Sequence, residues 1–384
     1  MGRMKRTRVW GCLGLSGLAL AAGWAAAVAD SDLSSVTRSR YPERLWAPLT
    51  AVDAALVGAG RATDPASGWS ANPALLGLEP ENRLRVTGTL LNPQRNDVQA
   101  TTRDYSDSSP LVTFGEAGLV AAKGRVAWGL YLTQDAFDKA HESFTDTAAG
   151  SAPVPRDNEF TSSLARAGVA AAYRKGRLSL GAALELSRPA ESWKTVEQLV
   201  IYPEPVTRES RVDGVAVGGA LGAVLAANEW LAIGASGRLA GGADLEDEDG
   251  VAAGHDEVPF TAGFGVHVGR PAGGNLHLAA EYTGPRDVTL ADSLGGDGRQ
   301  PERVRLAAGY AYASPALPWE FRAGLGWSPY AGDGAARYNS FGVGLGYKLE
   351  GSVVRATYAR ERRNTPEGDN SARSYLVFGL DVRF

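Results

Sequence analysis

Few side chains in this sequence of 384 residues stand at spacings that chemistry requires. The most suggestive are His267 and His277, separated by a stretch that holds Pro271, Gly273 and Gly274. If that stretch turns near Ala272, the two imidazoles face each other across adjacent strands. There they can hold a metal or sense pH, or simply line a polar interior. The acidic run Asp244-Leu245-Glu246-Asp247-Glu248-Asp249-Gly250 fails the calcium-loop spacing, because Leu245 interrupts the alternating ligands. It reads as a solvated surface loop. Gly58-x-Gly60 lacks the third glycine of a dinucleotide fingerprint and follows no strand. No Gly-x-Ser-x-Gly and no phosphate-loop pattern occurs, and Cys12 is the only cysteine. No catalytic residue, metal site or cofactor is therefore assigned, and the chain does not read as an enzyme.

Cys12 itself belongs to a segment expected to be removed. Arg3, Lys5, Arg6 and Arg8 precede an apolar stretch that ends in Ala27-Val28-Ala29, a small-x-small cleavage pattern. Residues 1–29 thus read as a secretory signal peptide. Those four are among 39 basic residues, so 35 remain against 43 acidic ones, a net charge of −8. A nucleic-acid partner calls for the opposite sign. No later run of 18 apolar residues exists, and mean hydropathy is −0.17, which excludes helical spans after the leader.

What could position polar side chains is a set of strands. Gly occurs 48 times, and from residue 83 onward apolar residues alternate with small or polar ones, the period of strands rather than helices. Fourteen such segments are predicted: 83–91, 111–123, 125–133, 160–174, 177–187, 210–227, 230–239, 258–269, 275–282, 302–313, 319–328, 339–349, 352–360 and 374–384. Short turns such as Lys123-Gly124, Lys175-Gly176 and Glu350-Gly351 alternate with long polar loops at 92–110, 136–159, 188–209, 240–257, 284–301, 329–338 and 361–373. Short turns on one side and long loops on the other predict an all-β fold, a fourteen-stranded antiparallel transmembrane β-barrel over residues 83–384, with the short turns periplasmic. Backbone in lipid has no water to bond, so such strands must close.

Parity agrees. Leu376, Phe378, Leu380, Val382 and Phe384 share one face of the last segment, while Tyr375, Val377, Gly379, Asp381 and Arg383 share the other. The first set is predicted to face lipid and the second the lumen. Trp319 and Trp327 at the two ends of one strand suit the two aromatic girdles. Phe378, Leu380, Val382 and Phe384 form a last strand ending in an aromatic, which is similar to the C-terminal signal read by the bacterial outer-membrane assembly machinery. Lumen-facing charges are expected at Glu185, Arg238, Glu281, Arg303, Arg305, Glu320, Arg322, Lys348 and Arg355. The Arg303/Arg305 row is expected to pair with the Glu320/Arg322 row on the neighbouring strand.

Residues 30–82 do not alternate. Thr50 can cap a short helix through Leu56 that Gly58 and Gly60 stop, and Asn72 can cap a second with Pro73 at its first position and a stop at Gly77. A barrel of fourteen strands has a lumen wider than its own side chains fill, and apolar Leu56, Val57, Trp69, Leu75, Leu76 and Leu78 favour a plug inside it.

Gly58-Ala59-Gly60-Arg61-Ala62, then Asp64, Ala66-Ser67 and Asn72-Pro73-Ala74-Leu75-Leu76-Gly77-Leu78 resemble the N-terminal hatch of the FadL family, the outer-membrane transporters of the OMPP1/FadL/TodX type. Asn72, Pro73 and Ala74 match its Asn-Pro-Ala motif. The resemblance implies a fourteen-stranded barrel in the outer membrane of a Gram-negative-type bacterium, plugged by the hatch. It also implies capture of a hydrophobic small molecule, such as a long-chain fatty acid or an aromatic hydrocarbon, and lateral exit through a kinked third strand. Gly129 is the kink candidate there. Expected contacts are the hydrophobic ligand, outer-membrane lipid and lipopolysaccharide, and the assembly machinery during biogenesis. A closed barrel has no edge to pair, so a monomer is expected.

Two alternatives are set beside transport. PorV-like relatives with the same hatch are structural or secretion-assembly barrels that do not transport. An outer-membrane hydrolase would need a lipid-facing Ser/His pair, and none is found. An apolar pocket above the plug favours transport, and Phe137, Phe144, Trp193, Val200 and Ile201 are its candidate wall or, equally, a docking surface for a partner.

Overall fold

The structure, a computed structural model, describes residues 48–95, 103–104, 111–146, 154–197, 204–239, 241–270, 273–290, 298–300, 302–329, 337–364 and 370–384. The expected leader and the first part of the expected plug lie outside the described residues.

Fourteen strands form one antiparallel ring. They are β1 (Arg83–Arg95), β2 (Leu111–Lys123), β3 (Val126–Asp146), β4 (Val154–Lys175) and β5 (Leu178–Glu197). β6 is Val206–Gly214 continued as Ala216–Ala226, and β7 is Leu231–Leu239 continued as Gly242–Asp247. β8 joins Ala252–Glu257 to Thr261–Gly269, β9 joins Gly273–Thr283 to Arg286–Leu290, and β10 joins Gly298–Gln300 to Arg303–Ala313. β11 (Trp319–Ser328), β12 (Arg337–Leu349), β13 (Ser352–Asn364) and β14 (Asn370–Arg383) complete it. Each strand pairs with its sequence neighbours. β1 pairs with β14 from Arg83↔Arg383 to Arg95↔Ser371, which closes the ring.

Burial shows why the sequence alternates. Along β14, Tyr375 and Val377 are buried while Leu376, Phe378 and Leu380 are exposed. The exposed apolar faces run around the ring, for example Leu184, Leu221, Phe264, Leu325 and Leu345. In water such a surface would drive aggregation; a bilayer is the solvent it fits. Trp319 packs edge-on against Tyr347 at 4.7 Å, and Phe260 lies 6.5 Å from Tyr282 at the other rim, marking the two interfaces. Closed barrels with this lipid-facing belt span bacterial outer membranes. Phe384 is exposed, and its amide donates to Asn82 O at 3.2 Å.

The ladder runs further than hydropathy alone suggests. β3 reaches Asp146, β5 reaches Glu197, and the stretch expected as a loop at 240–257 is largely the hairpin formed by the outer arms of β7 and β8. Leu245, expected on a solvated loop, is fully buried, with Trp193, Val212, Ala253, Val288 and Leu290 as neighbours. Beyond the bilayer nothing demands an apolar outer face, so the strand continues with polar residues such as Asp244 and Glu246 outward and apolar Ala243 and Leu245 buried. β6 is interrupted at Val215, where one continuous segment was expected.

The third strand also differs from expectation. Gly129 sits in unbroken register between Val120 and Ala170. The irregularities lie at Gln134/Ala136 in β3 and opposite Thr87, where the β1–β2 register shifts. Gly129 is kept small for another reason: a Cβ there would press on Leu76 and Val120.

Candidate functional site

Residues 48–82 pack against the inward face of the ring. Helix α1 (Ala51–Leu56) is capped by Thr50, whose Oγ1 accepts from Asp53 N at 3.0 Å. It ends at Val57 with φ 52°, ahead of Gly58 at φ 85°. A β-branched residue in the left-handed region is costly, and the buried packing of Val57 against Ala51, Ala54, Ala359, Tyr375 and Val377 is what holds it there. Two 3-10 turns follow, Pro65–Ser67 and Pro73–Leu78. The second begins as expected, with Asn72 as cap and Pro73 next, but it is 3-10 rather than α and continues through Gly77 to Leu78.

Every strand of the ring touches this segment. α1 packs on β10–β14, and the Pro73–Leu78 turn packs on β2–β6. Between them, Ala62 meets Gly234 of β7 and Gly265 of β8, Arg61 bonds Glu281 of β9 at 3.1 Å, and Arg85 of β1 donates to Pro65 O at 3.0 Å. The wall approaches so closely because its inward positions are glycine. A Cβ at Gly324 would overlap Leu56, one at Gly342 would overlap Ala54 O, and one at Gly181 would overlap Pro73 and Ala74 N. Trp69, Leu56, Leu75 and Leu76 are at most 1% exposed, each contributing roughly 1.5–3 kcal/mol.

Asn72 does more than cap. Its Oδ1 accepts from Ala74 N at 3.0 Å, while Nδ2 donates to Ala62 O at 2.9 Å and to Ala235 O of β7 at 3.3 Å. One fully buried carboxamide thus fixes the turn, folds the segment on itself and ties it to the wall. The remaining polar contacts are charge-assisted. Glu116 of β2 accepts from Ser70 N at 2.9 Å, Ser70 Oγ at 2.7 Å and Trp69 N at 3.2 Å. Arg85 pairs with Glu116 at 3.1 Å and with Asp381 of β14 at 2.8 Å, and its guanidinium lies 4.1 Å from the Trp69 ring centroid. Glu79 accepts from Trp69 Nε1 at 3.0 Å and pairs with Arg83 at 2.8 Å; burial nevertheless pushes its carboxyl above the usual range.

Of the expected lumen charges, Glu185 pairs with Arg238 at 2.8 Å, Arg303 with Glu361 at 3.0 Å, and Glu320 with both Arg322 and Arg355. The Arg303/Arg305 and Glu320/Arg322 rows do not meet. The β10–β11 register sets Leu306 opposite Trp327 and Ala313 opposite Glu320, so the rows lie at opposite ends of the two strands. His267 and His277 are register partners, stacked at 4.7 Å and 21°. His267 Nε2 is engaged by Asn275 Oδ1 at 3.1 Å. Among the described residues no group of three or more metal-ligating side chains forms. The side chains of Phe137 and Phe144 and the whole of Val200 and Ile201 lie outside the described residues. Trp193 is buried in the outer cluster.

Sequence reasoning missed a feature of the wall itself. A cavity of about 410 Å³ is lined by Leu84, Val86, Leu119, Leu130, Leu132, Val169, Leu184 and Leu186 on the lipid-facing side of β1–β5. Arg85, Gly118, Tyr131, Gly168 and Glu185, from the inward positions of the same strands, also border it. The Tyr131 ring covers Gly168, where a Cβ would overlap it. Tyr131 OH donates to Glu185 at 2.5 Å, Glu185 pairs with Arg238, and Arg238 donates to Ser70 O of the inner segment. A chain of bonds therefore links the Asn72 turn to the ring that backs the cavity.

No family profile and no curated protein matches the chain. Solved structures do. The CymD monoaromatic hydrocarbon channel superposes with a TM-score of 0.62 at 16% identity, over 89% of this chain and 99% of that one. The Ralstonia pickettii toluene transporter TbuX gives 0.62 and 16% over 87% and 98%. A Pseudomonas aeruginosa FadL homologue gives 0.57 and 16% over 88% and 99%. At that identity the likeness speaks for architecture, and the architecture is that of the FadL-type outer-membrane barrels.

Proposed function

We propose that the protein is an outer-membrane transporter for hydrophobic small molecules, with residues 30–82 as its plug and Asn72, Pro73 and Ala74 as the hinge of that hatch. The observation that carries this reading is the cavity in the wall. It is walled by Leu and Val at bilayer depth and backed by Tyr131, which is tied to the inner segment through Glu185 and Arg238. A pore for polar solutes has no use for an apolar recess facing lipid; a molecule more soluble in the bilayer than in water does. In this reading, displacement of the Ser70–Asn72 turn frees Arg238 and then the Tyr131 ring, so that the ligand leaves sideways past Gly118 and Gly168. Monoaromatic hydrocarbons, which the CymD and TbuX names carry, and long-chain fatty acids are the two ligand classes to test.

The test is uptake of labelled toluene and labelled oleate by cells lacking their own outer-membrane transporter. The cells carry either this protein or an Asn72→Ala/Pro73→Ala variant, with surface expression confirmed. Uptake of either compound that the variant loses supports the reading. Neither compound entering through a folded barrel would favour a non-transporting, PorV-like assembly role.

A further inference from the structure

Five cations crowd one part of the periplasmic rim. The β2–β3 turn carries Lys123 and Arg125 around Gly124, and the β4–β5 turn carries Arg174, Lys175 and Arg177 around Gly176. Neither turn holds an acidic residue. β3 and β4 are paired, with Val126 opposite Tyr173 and Arg174 N bonded to Arg125 O at 2.8 Å, so the two turns are neighbours in space. All five side chains are exposed. Their bonds go to carbonyls, Arg174 to Gly176 O at 3.3 Å and Arg177 to Ala227 O at 2.6 Å. Among the described residues none of the five pairs with a carboxylate. Elsewhere on this rim charges are mixed, with Glu81 and Arg83 at the start of β1 beside the first of these turns and Glu229, Arg270, Lys348, Glu350 and Arg383 on separate turns or ends. In a chain that is acidic overall, this concentration is specific to one side.

Directly above lie Val126, Trp128 and Tyr173, exposed on the lipid-facing side. Trp and Tyr at this level mark the interface between hydrocarbon and headgroups, so the five cations sit in the headgroup layer. The apolar cavity begins on the same strands. Leu119 stands four residues above Lys123 and Leu130 five above Arg125, about 14–17 Å along a strand. A cationic shelf with an apolar recess at that distance has the shape and polarity of a two-part ligand.

We infer that β2–β5 form a seat for an anionic phospholipid of the inner leaflet, its phosphate on Lys123, Arg125, Arg174, Lys175 and Arg177 and one acyl chain running up the wall into the recess. Lys and Arg suit this place, since their stems lie along apolar wall while their heads reach phosphate. An acidic soluble protein would be met by the cations alone and would not enter the adjoining recess, which lies at bilayer depth on the lipid-facing wall. The seat shares its recess with the proposed exit, and lipid retention by the purified barrel is read without any transported ligand, so the two readings fail separately.

The purified barrel in detergent is mixed with phosphatidylglycerol and phosphatidylcholine of identical acyl chains, and retained lipid is read by native mass spectrometry. Phosphatidylglycerol is expected to be retained in preference, by about fivefold for each cation lying against the headgroup. The variant Lys123→Gln/Arg125→Gln/Arg174→Gln/Lys175→Gln/Arg177→Gln is expected to lose the preference, and Arg270→Gln/Arg383→Gln to keep it. Lys123→Gln/Arg125→Gln alone gives a partial loss and serves if the fivefold variant does not fold. Equal retention of the two lipids by the parent overturns the inference and leaves the patch to an acidic protein partner. An unchanged preference in the fivefold variant, or an equal loss in the control, overturns it as well.

Discussion

Asn72 occupies the space that a side chain on Gly222 would need. A Cβ at Gly222 of β6 would overlap Asn72 Oδ1 and stand 2.9 Å from its Cγ. The inner segment and the wall therefore fit through a pair of residues 150 positions apart in sequence, one chosen for its carboxamide and the other for having no side chain.

From this fit, Gly222→Val is expected to unseat the Asn72 turn while leaving the ring closed. The overlap is with a fully buried group that already holds three bonds, and overpacking of this kind costs about 1–3 kcal/mol. Hydrogen exchange should quicken at residues 72–78 and stay unchanged in β11–β14. Equal protection in parent and variant would show that the turn is not held by this contact.

Arg85 is the bridge between the inner segment and the barrel seam. It is 2% exposed and joins Glu116, Asp381 and Pro65 O. Arg85→Leu leaves two buried carboxylates short of a partner, at a cost of about 3–5 kcal/mol. Urea unfolding followed by heat-modifiable gel migration measures it. A loss below about 1 kcal/mol would mean that Arg355 and Arg83 take over its role.

The relay from Ser70 to Tyr131 makes a graded prediction. Tyr131→Ala removes the ring over Gly168 and is expected to raise basal entry of an apolar dye. Tyr131→Phe keeps the ring, loses the bond to Glu185 and should lie between that variant and the parent. Equal entry in all three would separate Tyr131 from the permeation route.

Glu79 gives a pH dependence. Burial raises its carboxyl above the unfolded value. The protonated form is thus favoured in place, and this stabilising contribution is present at acid pH and lost as pH rises through the raised value. Proteolysis of the inner segment should therefore be slower near pH 4 than near pH 7, and Glu79→Gln should flatten the difference. A parent that is better protected at pH 7 would show that the Arg83 pair outweighs burial.

The sequence made the ring legible because lipid enforces a strict two-residue alternation. All fourteen strands lie where the apolar period places them, and His267 faces His277 because the turn between them is short. Asn72 and Pro73 were readable because capping is a local matter. The outer arms of β7 and β8 were not, since above the bilayer the alternation turns over: in Gly242–Asp247 the apolar Ala243 and Leu245 are buried while Asp244 and Glu246 are exposed. Neither could local pattern reveal that Arg85 meets Asp381, a pair 296 residues apart brought together only by closure of the ring. The cavity was hidden for a further reason: Leu119, Leu130 and Val169 read as ordinary lipid-facing residues, and only the small inward neighbours Gly118 and Gly168 distinguish that part of the wall.

The central claim is that the inner segment must move for a hydrophobic ligand to pass. A Cβ built at Gly77, in the turn that Asn72 caps, lies 3.4 Å from Ser179 Cβ of β5, close to disulfide geometry, and the sole natural cysteine, Cys12, falls in the expected leader. The measurement is uptake of labelled toluene by cells bearing Gly77→Cys/Ser179→Cys, oxidised and then reduced. The account predicts that the crosslink abolishes uptake and that reduction restores it. Equal uptake in the two states, with the disulfide verified by mass spectrometry, would contradict it.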